Sequence, residues 1–252
     1  MRFLPVFKYR FKDSIYSTGI IVLVMILLTA LCFFGIVTFG SITRTDNSGE
    51  VIMETTTMNF SMPVAIFMFV LAIVSIREDM RLGIQNGAGR GTVFLANMAS
   101  MLVTAVVINI VFALVTAVWN QFDTGVYIMD IFGAIYYNEP FFETLGSLVV
   151  SSVVLLALTV FLASLGTFIS LMYWRLNKFG KWAVSLGIGA AVILFVDVII
   201  RYEAVAKVLG SFLEWMSLTP WNLVLSFAVL AVVFYALARL LVRRNAITPA
   251  TA

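Results

Sequence analysis

Residues 58–76 read MNFSMPVAIFMFVLAIVSI, and residues 77–92 continue REDMRLGIQNGAGRGT. The first stretch is nearly all apolar and has the length, about 20 residues, that a helix needs to cross a bilayer core of about 30 Å. The second is short, opens on a cluster of charge and carries Arg77, Arg81 and Arg90. Working outward, the same alternation recurs along the chain. Apolar stretches cut the sequence into seven polar segments, and segments one, three, five and seven hold 4, 3, 3 and 3 of the 16 Lys and Arg residues. Segments two, four and six hold 1, 0 and 2, and they hold or border 10 of the 13 acidic residues. Lys and Arg near the ends of a span are retained in the cytoplasm, whereas Asp and Glu count little. The alternation predicts an all-α membrane protein with six spans and both termini cytoplasmic.

Composition agrees. Hydrophobic residues make up 62% of the 252 positions, and the mean hydropathy is +1.06. Six helices with short connections leave no room for a soluble domain of about 100 residues, so residues 1–252 read as a single transmembrane domain. The basic balance is spread over four short segments, as topology requires, and points to no nucleic acid. The lone cysteine, Cys32, falls inside the first span and has no internal partner. Histidine is absent, which removes the commonest metal ligand and the usual general base. Residues 1–16 and the span after them lack a small-residue cleavage motif and read as retained.

The expected spans are 17–39, 58–76, 94–119, 145–173, 182–200 and 220–241. Before the first, Leu4, Phe7, Phe11 and Ile15 fall on one helical stripe beside Lys8, Arg10 and Lys12. That pattern predicts an interfacial helix over 1–16 with its basic side toward anionic headgroups. Pro63 lies near the start of span two and is acceptable if its freed carbonyl finds a partner. Connections 40–57 and 120–143 are acidic, and Tyr136, Tyr137, Phe141 and Phe142 suit an outer aromatic belt. Ser147, Ser151, Ser152, Ser164, Gly166 and Ser170 in span four are small enough to let helices approach closely. Residues 201–219 place Val205, Val208, Leu209, Phe212 and Met216 at amphipathic spacing, which predicts a helix lying on or re-entering the outer leaflet before span six.

Few residues carry chemistry. Gly87, Gly89 and Gly91 favour a turn, but the stretch lacks the spacing and the Lys of a phosphate loop, so nucleotide binding by this chain is not expected. Asp197, near the outer end of span five, is a candidate by its intramembrane position; a local pair with Arg201 four residues on is the plainer reading. Asn97, Thr104, Asn109 and Thr159 can line a cavity or make interhelical hydrogen bonds. Glu78 and Asp79 sit at the cytoplasmic edge with Arg77 and Arg81. No metal site and no catalytic set is evident.

The layout resembles the permease subunits of type-2 ABC transporters, most closely small bacterial ones. The most specific stretch is Ile76-Arg77-Glu78-Asp79 through Gly91-Thr92-Val93-Phe94-Leu95. In that family an acid after span two opens a coupling helix, and a turn leads into span three through a basic residue and an aromatic. Glu78 would be that acid, with Arg90 and Phe94 following; the glycine-rich turn departs from the Ser or Pro common in relatives. The resemblance implies ATPase contact through Arg77, Glu78, Asp79, Arg81 and Arg90, and a second permease, identical or related. It implies a bacterial cell membrane, ATP and Mg held by a separate ATPase subunit, and hydrophobic or amphipathic cargo such as a toxic peptide, a drug or a lipid-like molecule. An ion-coupled carrier would want buried ionisable pairs and an inverted repeat, and a membrane-embedded enzyme or assembly factor a convergent catalytic set. The sequence displays none of these.

Overall fold

A computed structural model describes residues 3–34, 36, 41–45, 51–119, 121, 126–129, 136 and 145–244. Asp46, Glu50, Tyr137, Phe141 and Phe142 lie outside the described residues. The helices are α1 (Phe3–Phe33), α2 (Ser61–Gln85), α3 (Arg90–Trp119), α4 (Leu145–Arg175), α5 (Lys178–Arg201), α6 (Glu203–Leu218) and α7 (Pro220–Arg244). All but α6 are long and apolar enough to cross a membrane, six in total.

The start of α1 differs from the sequence expectation. No break separates residues 3–16 from the first span; α1 is one helix of 31 residues. Pro5 sits in its first turn, where a missing N–H costs nothing, and the interior holds only Gly19 as a weak point. At 1.5 Å per residue α1 is about 46 Å long, so it overruns a bilayer core by about 15 Å. Pro63 is resolved just as simply: α2 begins at Ser61, so Pro63 falls in the first turn and frees no carbonyl.

The turn between α2 and α3 is tighter than expected. The charged cluster 77–81 forms the last turns of α2 and not a separate coupling helix. Asn86 caps it, Gly87 takes φ 73°, Gly87 N–H donates to Ile84 O at 2.9 Å and Ala88 N–H to Gly83 O at 2.9 Å. This is a Schellman end, which satisfies two orphan carbonyls and needs a left-handed residue at Gly87. Gly91, expected to break helix, lies inside α3.

The ends of α2, α4 and α7 and the start of α3 meet in one apolar cluster, built on Ile76, Met80, Phe94, Leu171 and Val242. This end gathers the basic residues. A second, larger cluster around Met68, Met101, Ile108 and Leu155 fills the rest of the bundle. Close approach of α2 and α4 depends on Gly166, where an added Cβ would meet the Phe69 carbonyl oxygen at 2.6 Å.

The acidic end carries a small sheet that the sequence expectation lacked. Strands β1 (Ser41–Thr45) and β2 (Val51–Asn59) pair antiparallel, and β3 (Val126–Met129) joins β2 in parallel. Val51, Ile52 and Thr55–Thr57 are β-branched and suit a strand. Ile128, fully buried, ties the sheet to the main core. Tyr136 O–H donates to Met216 O at 3.4 Å, tying this layer to α6; burial pushes its phenol above the usual tyrosine range.

Helices α5 and α6 stand apart. None of the residues of α6 is buried, and neither is any in the apolar window of α5.

Candidate functional site

The densest polar site lies at the basic end, between α1, α2 and α3. Asp79 and Arg10 are 5% and 3% exposed. Arg10 Nε lies 3.1 Å from Asp79 Oδ2, an ion pair across two helices. Asn97 Nδ2 donates to the same carboxylate oxygen at 2.5 Å and to Ser75 Oγ at 3.4 Å. Arg10 Nη1 donates to Asp13 Oδ2 at 2.6 Å. Arg10 Nε and Nη2 have no hydrogen-bond partner among the described atoms, so Nε meets Asp79 as a charge without a well-aimed N–H.

Helix geometry selects these residues. On α2, Ser75, Ile76, Asp79, Met80 and Gly83 are buried together, at the three- and four-residue spacing of one face. Arg77, Glu78 and Arg81 fall on the exposed side. The boundary between the two faces falls between Glu78, exposed, and Asp79, buried. Asp79 was expected on an ATPase-contacting surface; it is instead an internal residue, on the buried face of α2 where it meets Arg10 and Asn97. The expectation for Arg10 is corrected too. On α1 Arg10, Ser14, Thr18, Met25 and Thr29 are buried, whereas in the apolar stripe Leu4 and Ile15 are exposed and Phe7 and Phe11 half-buried. The face of α1 that closes on the bundle is therefore the polar one, which carries Arg10 to Asp79. The spacing of Arg10, Ser14 and Thr18, four apart, is the signal that could have found this.

The cavity candidates are mostly consumed by packing. Asn97 belongs to the Asp79 site. Asn109 Nδ2 donates to Thr159 Oγ1 at 3.2 Å and to Ala105 O at 2.7 Å, joining α3 to α4. Thr159 O–H donates to Leu156 O at 2.9 Å. Thr104 is buried, and its hydroxyl has no hydrogen-bond partner among the described atoms. Asp197 is not gathered with them. It pairs with Arg201 Nε at 2.8 Å on α5, with side chains 45% and 71% exposed. The local pair is exposed because α5 packs too little to bury a carboxylate.

Two cavities open at the basic end. One of about 480 Å³ lies between α1 and the end of α2, with Val6, Tyr9, Leu82 and Ala88 in its walls and Asp79 reaching it. The other, of about 320 Å³, lies between α3 and α7 and collects Arg90 with Arg239 and Arg243. Arg90 therefore faces α7, which the sequence expectation did not foresee. Among the described residues no group of three or more His, Cys, Asp or Glu is placed to hold a metal.

No protein-family model, no curated protein and no solved structure matches this chain.

Proposed function

We propose that this chain is the membrane permease of an ATP-driven exporter of the type-2 ABC class, acting with a separate ATPase subunit and a second permease. The observation that carries the reading is the end of α2. Arg77, Glu78 and Arg81 stand exposed there, just before the turn into α3. The excess of Lys and Arg at this end argues for its facing the cytoplasm, and the family resemblance for a bacterial cell membrane. A nucleotide-driven push on this surface would act on a rigid unit. Asp79 links α2 to α1 through Arg10 and to α3 through Asn97, so three helices would move together. Such a packed unit has discrete arrangements rather than a continuum, which suits rocking between inward-open and outward-open states. The cargo is hydrophobic or amphipathic, in keeping with the apolar bundle, and a toxic peptide fits best by analogy with small relatives.

Co-expression with the ATPase encoded beside this chain should give a complex that co-purifies and hydrolyses ATP faster in the presence of cargo. Glu78→Lys should abolish that stimulation while insertion and thermal stability stay as in the wild type. Transport by the chain alone in liposomes without ATP would end the proposal.

A further inference from the structure

The cavity of about 320 Å³ between α3 and α7 has the makings of an anion site. Arg90 is the first residue of α3, and Arg239 and Arg243 lie one turn apart on α7. No acidic side chain lines it; Phe94, Leu95 and Val242 form the apolar part of its wall. Phe94 and Val242 belong to the buried core, so that part of the wall is fixed. Among the described residues neither Arg239 nor Arg243 is in an ion pair. Topology asks only for positive charge somewhere at this end, and scattered residues would satisfy it. It does not ask that arginines from two helices far apart in sequence converge on one cavity. Guanidinium forks match phosphate oxygens two at a time, and the start of α3 adds the positive end of a helix dipole.

We propose that this cavity binds the phosphodiester headgroup of an anionic membrane lipid. Arg239 and Arg243 hold the phosphate, and the glycerol and first acyl carbons lie along Phe94 and Leu95. A lipid suits the position better than a free anion. Leu95 and Leu240, 41% and 54% exposed, put this part of the bundle on an apolar outer surface that faces the bilayer. Basic pockets between transmembrane helices on the cytoplasmic side favour such headgroups. The site does not depend on the ATP-driven reading.

The test is native mass spectrometry of the full chain in detergent, titrated with phosphatidylglycerol or with phosphatidylcholine of the same acyl chains. Phosphatidylglycerol should bind more tightly. Arg239→Gln and Arg243→Gln should each weaken it by about fivefold, leaving phosphatidylcholine unaffected. Arg175→Gln with Lys178→Gln, basic residues outside the cavity, should change neither. Leu95→Trp, which crowds the cavity without touching charge, should also weaken phosphatidylglycerol. Equal binding of the two lipids, an unchanged preference in the arginine variants, or an equal loss in the Arg175 and Lys178 control would overturn the site. Displacement of phosphatidylglycerol by millimolar inorganic phosphate would overturn the lipid assignment and leave a free-anion site.

Discussion

Two acid–base pairs in this chain look alike on paper and differ in kind. Arg10 and Asp79 lie far apart in sequence, and their side chains are each 4% exposed. Asp197 and Arg201 lie four apart on one helix and are half-exposed or more. The first pair sits where α1, α2 and α3 close on one another; the second sits on α5, which has little to close on. A buried pair makes each partner dependent on the other, because removing one strands a charge in a low dielectric, whereas an exposed pair is worth little either way. The contrast teaches that α1–α4 and α7 form a cooperative core, and that α5 and α6 are a limb whose own surface must be covered by lipid or protein.

The largest effect should come from Asp79→Ala. It removes the interhelical carboxylate of Arg10 and leaves only the exposed Asp13 beside it, so it should cost about 3 kcal/mol, the low end for a broken buried pair, read as a lower thermal midpoint in detergent. Replacing both partners, Arg10→Met with Asp79→Leu, should recover most of that loss. If the single variant melts like the wild type, the core is not closed around this pair. Next in size, Gly166→Val should cost about 1–3 kcal/mol by driving a side chain into α2. Gly187→Val on α5 is the matching control, since nothing lies within 4 Å of its Cβ position. Equal losses at the two glycines would erase the distinction between core and limb. The smallest effect belongs to Asp197→Asn, expected within about 0.5 kcal/mol. Transport assayed with the ATPase present should be unchanged, and a clear loss would put that carboxylate back among the functional residues.

The legible part of this molecule is its periodicity. Runs of apolar residues near 20 long announce the six spans, and the expected starts of spans four and six, Leu145 and Pro220, agree with the helices observed. The ends of helices were harder. The charged cluster after Ile76 reads as a short helix of its own, yet α2 runs through it to Gln85, because a helix carries charge freely once it leaves hydrocarbon. Gly87 was legible as a turn residue; that Gly91 would lie inside α3 was not, because only the hydrogen bonds of the turn decide which glycine must be left-handed. Among candidate site residues, Asn109 and Thr159 were visible as polar groups in spans. Their pairing, and the choice of Asp79 over Glu78 for the interior, depended on which helix lay opposite.

Amino-acid order alone fixed how many helices can cross a membrane and which connections gather Lys and Arg, since both follow from hydropathy and charge counted along the chain. Only the tertiary structure decided that Arg10 meets Asp79, that Arg90 shares a cavity with Arg239 and Arg243, and that α5 stays unburied. Those outcomes depend on helix rotation and neighbour choice. Hydropathy does not set these inside a bilayer, where lipid tails are as apolar as leucine and packing and hydrogen bonding do the sorting.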